Sequence, residues 1–268
     1  MSETLRVAVA QFAPGPSRDE NLAGIAQLVG EAAREGAELV VLPEYSAFFG
    51  GKMGEHWVAA AEPVDGPFVT GLADIATSHG VAVVAGMLET ASRDDRFRNT
   101  IVALGADGGL LGVTRKLHLY DAFGQTESDW AEPGEIIVPE TFAINGVPVG
   151  VQTCYDLRFP EVTRRLVDAG AELVLVPAEW VAGPDKRHAW RTLAAARAIE
   201  NTVYLAAADH PPPVGVGASL IVDPLGRELA FVDDEVGVAA ATIDRAELAR
   251  VRTVNPALTL RRFRVEPA

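Results

Sequence analysis

The sequence predicts an α/β protein composed of two similar halves that pack face to face around one core. Apolar strands alternate with helices whose apolar residues recur at the helical period, which is the pattern of βαβ units. In addition, residues 35–43 read EGAELVVLP and residues 169–177 read AGAELVLVP. Unrelated βαβ units can converge on such a sequence pattern, but we favour an internal duplication.

The first half predicts a strand, a helix and a second strand. Ser17 is placed to cap the helix, because Glu20 follows at the capping-box spacing. An apolar stripe at helical spacing then runs from Leu22 to Ala33, and Gly36 ends the helix. The flanking strands are predicted at residues 5–12 and 37–42, followed by a helix at 68–79 and a strand at 81–86.

A long irregular segment separates the two halves. Residues 99–104 and 110–115 predict a hairpin around Asp107-Gly108-Gly109. Lys116 to Glu140 then lacks regular periodicity, and long loops inside compact domains are usually functional. A second hairpin, residues 141–144 and 147–152, precedes the repeated pattern.

The second half repeats the alternation of helices and strands. Helices are predicted at residues 161–169, 187–200 and 244–251, and strands at 172–176, 203–208, 217–222, 228–231 and 237–243. Residues 255–268 form a tail. Because no change in composition divides the chain, we predict one domain over residues 1–268.

Composition restricts the partners and the compartment. The net charge of −14 and the pI near 4.8 argue against nucleic acid or an anionic membrane surface as partner. No apolar run of about 18 residues predicts a transmembrane helix, and the first residues do not resemble a signal peptide. A single cysteine fits a reducing compartment. We therefore predict a cytoplasmic protein.

The single cysteine, Cys154, lies between a predicted strand that ends at Gln152 and a helix that Pro160 opens. A thiol on such a turn is exposed at the carboxyl end of the strand. Nearby backbone N–H groups and the helix N-terminus favour a thiolate and a developing oxyanion. We therefore predict that Cys154 is a nucleophile.

Two other charged residues also follow predicted strands. Glu44 comes after the strand that ends at Leu42, and Lys116 comes directly after Arg115. Open α/β folds place their sites at the carboxyl ends of strands, so a carboxylate, an ammonium and a thiol are expected to converge. Glu44 would accept the thiol proton, and Lys116 with the backbone N–H of Tyr155 would stabilise the oxyanion.

Several of these residues also have simpler structural interpretations. A lone cysteine is commonly a small buried apolar residue. His118 is expected to pack beside the strand end rather than to act as a base. Asp156 and Arg158 form either a local ion pair or a substrate site, and Trp180 either lines the pocket or belongs to the core. Arg197 and Glu200 are expected to be structural.

Metal and phosphate chemistry have little support in the sequence. The five histidines are scattered without an H-E-x-x-H spacing, and no glycine-rich phosphate loop is present. We therefore predict no metal and no cofactor.

Three segments resemble the signature blocks of the nitrilase superfamily of carbon–nitrogen hydrolases. They are Leu42-Pro43-Glu44, residues 115–119 (RKLHL) and residues 154–161 (CYDLRFPE). The blocks occur in the order of that family, and the resemblance extends from about Arg6 to about Ile243. Residues 197–201 (RAIEN) and 217–219 (GAS) also resemble family blocks.

The resemblance implies a Glu–Lys–Cys triad, which corresponds to Glu44, Lys116 and Cys154, with Glu127 as a second glutamate. It also implies a four-layer αββα sandwich with two mixed β-sheets and a pseudo-twofold internal repeat. Assembly into a homodimer or higher homo-oligomer follows, with dimer contacts from the tail at about residues 255–268. The implied mechanism is hydrolysis through a thioester on the cysteine.

Within the superfamily, the chain is most similar to the Nit-type amidases, such as ω-amidase and deaminated-glutathione amidase. We therefore expect an amidase that releases ammonia from a small carboxylated amide. Side chains of the loops at residues 45–67 and 123–135 are expected to select the acyl group. A nitrilase, an N-carbamoyl amino acid hydrolase and a non-catalytic binding protein remain alternatives. A papain-like hydrolase that uses His118 or His188 is disfavoured, because neither region resembles that family.

Overall fold

The computed structural model of the protein describes residues 3–137 and 141–267. Its strands are β1 Thr4–Gln11, β2 Leu39–Val41, β3 Ala82–Thr90, β4 Phe97–Leu104, β5 Leu110–Arg115, β6 Ala131–Glu132, β7 Phe142–Ile144, β8 Val147–Val151, β9 Leu173–Pro177, β10 Tyr204–Ala208, β11 Ser219–Val222, β12 Glu228–Val232 and β13 Gly237–Asp244. Its helices are α1 Arg18–Arg34, α2 Glu55–Ala59, α3 Pro67–His79, α4 Pro160–Asp168, α5 Lys186–Asn201 and α6 Arg245–Val254, with 3₁₀ turns at Glu127–Asp129 and Cys154–Arg158.

The described strands form two mixed sheets with matching topology. The first has the order β13-β1-β2-β3-β4-β5, with β6 beside β4, and the second has the order β12-β11-β10-β9-β8-β7. In the first sheet β1, β2 and β3 are parallel, and in the second β8, β9 and β10 are parallel, while the outer strands of both are antiparallel. Strands β1 to β5 therefore correspond to β8 to β12, and the predicted pseudo-twofold repeat is confirmed.

Alternation along the strands explains why the sheets stack with helices outside them. Val7 and Val9 of β1 face a core shared with the second sheet, whereas Ala8 and Ala10 face a core formed with α1 and α3. Successive side chains of a strand point to opposite faces, so a strand buried on both faces is apolar throughout. The second sheet packs against α5 in the same way, through Trp190 and Ala194. The αββα sandwich is confirmed.

Predicted boundaries hold best where local signals are strong. The Ser17 side chain accepts a hydrogen bond from the Glu20 N–H, as the capping-box spacing predicts. Pro67 and Pro160 each occupy the first turn of a helix, where a missing N–H carries no penalty. The strand predicted at residues 81–86 continues to Thr90, because it pairs with the full length of β4.

Four short elements were not predicted from the sequence. These are α2, β6 and the two 3₁₀ turns, each of which is fixed by contacts with distant parts of the chain. Strand β6 pairs with β4, and Trp57 of α2 stacks on Phe97 of β4 with ring centroids 5.9 Å apart. Of the segment predicted to be irregular, residues 138–140 lie outside the described ranges.

Candidate active site

The ends of three strands carry the three side chains that the sequence analysis singled out. Glu44 follows β2, Lys116 follows β5, and Cys154 follows β8. The turn that carries Glu44 lies directly against Gly86 of β3. A Cβ atom at Gly86 would lie 2.5 Å from the backbone N of Tyr45, so only glycine permits this approach.

Glu44, Lys116 and Glu127 are in direct contact in the interior. Lys116 Nζ donates to Glu44 Oε1 at 3.0 Å and to Glu127 Oε2 at 2.8 Å. The three residues are only 1–3% exposed. Buried charges of this kind persist when they are paired and hydrogen-bonded, and both conditions are met here.

Asn99 and Tyr45 complete this group, which we call the buried network, and the sequence analysis missed both. Asn99 Nδ2 lies 2.6 Å from Glu44 Oε1 and 2.9 Å from Glu127 Oε1. The Tyr45 hydroxyl donates to Glu127 Oε1 at 2.7 Å. Asn99 is flanked by Arg98 and Thr100, and the apolar run of this strand begins only at Ile101, so the sequence offered no clear signal for it.

The two glutamates of the buried network have opposite pKa shifts. Burial raises the pKa of Glu44, and the negative charge of Glu127 adds to this rise. Burial also acts on Glu127, but the Lys116 ammonium and hydrogen bonds from Asn99 and the Tyr120 N–H outweigh it and lower the pKa. The pKa of Lys116 is raised because both carboxylates outweigh its burial. Glu127 and Lys116 thus form an ion pair, and Glu44 is the more basic carboxylate.

Cys154 is held in a strained turn. Its φ is +45°, and a non-glycine residue adopts this left-handed region only when the surrounding structure imposes it. Thr153 and Asp156 form a capping box around the turn. The strand, the capping box and Pro160 together fix the thiol at the start of the 3₁₀ turn.

Glu179, which the sequence analysis did not single out, joins the thiol to the buried network through its backbone. Cys154 Sγ donates to the Glu179 carbonyl at 3.4 Å, and the Glu179 N–H donates to Glu44 Oε2 at 2.7 Å. The thiol and the Glu44 carboxylate therefore contact the same residue, and the charge of Glu44 acts on the thiol.

Burial opposes the thiolate that the turn was expected to favour. Burial raises the pKa of Cys154 well above its usual range, and the negative charge of Glu44 adds to this effect, which the Lys116 ammonium only partly opposes. Cys154 is 6% exposed, so water contributes little to stabilising a thiolate. The thiol is protonated at rest and needs a base.

His118 is structural in its contacts. Its Nδ1 lies 2.7 Å from Asp156 Oδ1, and its ring stacks on Phe159 with centroids 3.7 Å apart. The pair that shapes the turn is therefore His118–Asp156, and the alternative of an Asp156–Arg158 ion pair is wrong. Arg197 donates to the Leu157 carbonyl and pairs with Glu200, as expected.

A narrow cavity opens beside Cys154, and we call it the substrate cavity. It is lined by Tyr120, Cys154, Tyr155, Arg158, Glu179, Trp180, Val181 and Lys186. The Trp180 ring lies under the Arg158 guanidinium at 4.8 Å and also contacts Trp190 at 5.3 Å. Trp180 thus lines the cavity and belongs to the core at once. Tyr155 contributes to the wall, at the first turn of the 3₁₀ helix, where backbone N–H groups lack intrahelical acceptors.

Buried polar groups also support the walls of the site. Asp209 accepts hydrogen bonds from the backbone N–H of Trp180 and of Val216. His210 Nε2 lies 2.7 Å from the Glu44 carbonyl oxygen, and burial lowers the pKa of His210 to about 4. The ring is therefore neutral, and its N–H donates to that carbonyl.

Comparison with known proteins agrees with this architecture. Residues 6–253 match the carbon-nitrogen hydrolase family. This chain belongs to the carbon–nitrogen hydrolases. The resemblance to the nitrilase superfamily is thereby confirmed, over nearly the whole chain.

Individual carbon–nitrogen hydrolases are similar over the same length. A hydrolase of Mycobacterium tuberculosis is 38% identical over 274 residues, which cover 93% of this chain and 96% of the relative. The deaminated glutathione amidase of Escherichia coli O157:H7 is 35% identical over 257 residues, which cover 96% of this chain and 97% of the relative. An amidase from Nesterenkonia sp. AN1, solved in complex with acrylamide, is 27% identical with a TM-score of 0.83 and covers 97% of this chain and 95% of that chain. This carbon–nitrogen hydrolase is amidase-like in sequence and in fold.

Within 3–137 and 141–267, no helix is long and apolar enough to span a membrane. In the same ranges, no group of three or more His, Cys, Asp or Glu side chains is arranged to hold a metal ion.

Proposed function

We propose that this carbon–nitrogen hydrolase is an amidase that cleaves a small carboxylated amide through a thioester on Cys154. The observation that supports the proposal most is the contact of Glu44 with both Lys116 and the peptide of Glu179, which in turn contacts the thiol. A nucleophile, a base and a cation for the oxyanion thus lie together, which is the arrangement that acyl transfer requires.

In the first half of the reaction, Cys154 Sγ attacks the amide carbon while its proton passes to Glu44. The new S–C bond leaves a negative charge on the amide oxygen, which Lys116 Nζ and the Tyr155 N–H stabilise. The C–N bond then breaks, and the leaving nitrogen takes the proton from Glu44 and departs as ammonia. Glu127 retains its charge throughout and holds the Lys116 ammonium in place.

In the second half, water attacks the thioester carbon and gives a proton to Glu44. A second oxyanion forms in the same place and collapses, so the S–C bond breaks and the acid product leaves. The proton on Glu44 returns to the Cys154 sulfur. The raised pKa of Glu44 suits a group that accepts and returns a proton in each half.

Two cations at the substrate cavity support a carboxylate on the substrate. Arg158 lies over the rings of Trp180 and Phe123, and no carboxylate of the described residues pairs with it. Lys186 donates to the Tyr120 hydroxyl at 2.7 Å and lies 3.5 Å from the centroid of the Phe123 ring. Cations without a carboxylate partner attract an anionic substrate into the cavity.

Ammonia release from small amides tests the proposal, with intact-protein mass spectrometry on the same samples. The compounds are α-ketoglutaramate, deaminated glutathione, glutaramate, aliphatic amides, nitriles and N-carbamoyl amino acids. We expect turnover of a carboxylated amide and an acyl adduct that the Cys154→Ala variant lacks. Turnover of a nitrile or carbamoyl compound alone would identify one of the alternatives, and no turnover and no adduct would favour a binding protein.

We also propose that the protein is a cytoplasmic homodimer with contacts from its tail. The tail exposes apolar side chains, since Leu260 is 69% and Phe263 is 89% exposed. Large apolar side chains exposed together commonly mark a protein–protein contact. Within the chain, Arg261 pairs with Asp168, which joins the tail to the C-terminal end of α4.

A further inference from the structure

The side chain of Glu179 is not used in the proposed reaction. Its backbone contacts Glu44 and Cys154, but its carboxyl group makes no hydrogen bond or ion pair with any described residue. Glu179 is partly buried and lines the substrate cavity beside the thiol. Since most buried polar groups have a partner, a carboxyl group that faces a cavity without one is a candidate ligand for the substrate.

The internal repeat explains why a second glutamate lies so close to Glu44. Glu44 follows β2, and Glu179 follows β9, which is the counterpart of β2 in the other sheet. The two sheets face each other, so the ends of these corresponding strands meet across the pseudo-twofold axis. The carboxylate of Glu44 accepts hydrogen bonds from Lys116 and Asn99, whereas the carboxyl group of Glu179 has no such partner among the described residues.

The charges around Glu179 are predominantly negative. Burial raises the pKa of Glu179 well above its usual range, and the negative charges of Glu44 and Asp209 add to this rise. Lys116 is the one buried lysine of the described residues, and the two glutamates of the buried network already share it. A positive charge brought next to Glu179 would therefore be favoured.

Two cations line the same cavity. Arg158 adds to the lowering of the Lys186 pKa that burial causes, whereas the charges of Cys154 and Glu179 oppose it. The substrate cavity thus contains an acidic side chain and two cationic ones. Opposite charges in one cavity complement a zwitterion.

We infer that Glu179 determines substrate specificity by binding an ammonium group close to the scissile carbonyl, while Arg158 and Lys186 bind the carboxylate at the far end of the acyl chain. The substrate is then an amino-acid amide whose amino group adjoins the amide. This inference rests on the proposed function and adds the chemistry of the acyl group. The ammonium belongs near the scissile carbonyl because the Glu179 backbone carbonyl accepts a hydrogen bond from the attacking thiol, so Glu179 lies beside the nucleophile.

Three amides with the same five-carbon chain test the inference. Glutaramate has no amino group, L-isoglutamine has one next to the amide, and L-glutamine has one next to the carboxylate. For the wild-type enzyme we expect kcat/KM for isoglutamine to exceed that of the other two by at least about tenfold, as a hydrogen bond to a charged group provides. In Glu179→Gln we expect this preference to disappear while kcat/KM for glutaramate changes by less than about threefold.

A matched substitution controls for the loss of a carboxylate elsewhere. Glu31 is exposed on α1, and Glu31→Gln should retain the wild-type preference. Equal loss of kcat/KM for all three amides in Glu179→Gln would overturn the inference, since it would show that Glu179 only supports the Cys154 turn. Equal kcat/KM for glutaramate and isoglutamine in the wild-type enzyme would also overturn it.

Calorimetric binding separates this inference from the proposed function. Cys154→Ala cannot form a thioester, so binding to it is measurable whether or not the wild-type enzyme cleaves any amide. Tighter binding of isoglutamine than of glutaramate, abolished in Cys154→Ala/Glu179→Gln, supports the inference even when hydrolysis is absent. Equal binding of the two compounds to Cys154→Ala would overturn it, whatever the activity of the wild-type enzyme.

Discussion

Lys116 contacts Glu127 at 2.8 Å and Glu44 at 3.0 Å, so one ammonium is shared by two buried carboxylates. Burial and the negative charge of Glu127 raise the pKa of Glu44. The Lys116 ammonium, together with hydrogen bonds from Asn99 and the Tyr120 N–H, outweighs burial and lowers the pKa of Glu127. The two glutamates therefore have different roles. Glu127 holds the Lys116 ammonium in place, and Glu44 accepts and returns a proton.

We expect Glu127→Gln to lower kcat by at least about a hundredfold, because the Lys116 ammonium loses its firm counter-ion and the oxyanion loses a fixed cation. KM should change little, since Glu127 does not line the substrate cavity. Steady-state kinetics measure both values, and Ser128→Ala beside it is the control. A change in KM alone would contradict the assigned role.

The pH dependence of kcat is set by Glu44, which must be ionised to accept the thiol proton. Its pKa is raised, so activity should rise with pH through a midpoint above 4.5, the ordinary glutamate value. The negative charge of Glu127 contributes to that rise, and Glu127→Gln should therefore move the acid limb to lower pH. The residual kcat of Glu127→Gln, measured across the acid pH range, shows in which direction the acid limb moves. An acid limb at the same pH in wild type and variant would show that the charge of Glu127 does not raise the pKa of Glu44.

Glu44→Gln should lose at least about a thousandfold in kcat, because removal of a general base affects both halves of the reaction. Glu44 accepts from Asn99 at Oε1 and from the Glu179 N–H at Oε2, so the single oxygen of glutamine retains only one of these bonds, and the melting temperature should fall by a few degrees. Kinetics and thermal unfolding are measured on the same preparation. Activity close to that of wild type would exclude Glu44 from the mechanism.

Cys154→Ser should fold normally and have no measurable turnover, because a hydroxyl is far harder to ionise than a thiol.

The alkylation of the wild-type thiol by iodoacetamide should still become faster as the pH rises above 9.0, the ordinary pKa of a cysteine, because the pKa of Cys154 is raised. Free glutathione thiol, treated in parallel, shows the ordinary profile. A plateau for Cys154 below that pH would mean that the resting site holds a thiolate.

The tail should carry the dimer contact. Light scattering of the wild-type protein is expected to give twice the chain mass of 28.4 kDa. Leu260→Ser/Phe263→Ser removes two exposed apolar side chains and should weaken the dimer at least about tenfold. Leu110→Ser, which is 52% exposed on β5, is the control. A dimer unaffected by the tail substitutions would place the contact elsewhere.

The sequence by itself determined the elements whose signals are local. The capping spacing of Ser17 and Glu20, the apolar runs of the parallel strands and the repeated wording at residues 35–43 and 169–177 predicted the helices, strands and internal repeat. It also placed Glu44, Lys116 and Cys154 at strand ends, because the strands that precede them are strongly apolar.

The tertiary structure alone decided the properties that depend on burial and on distant neighbours. Asn99 and Tyr45 contact Glu127 only because β4, the β2 turn and the loop after β5 come together. The raised pKa of Cys154 follows from desolvation and from the charge of Glu44, and the free carboxyl of Glu179 follows from the facing of the two sheets. Sequence patterns record which face of an element is apolar, whereas electrostatic energies depend on distances and solvent exposure, which exist only after folding.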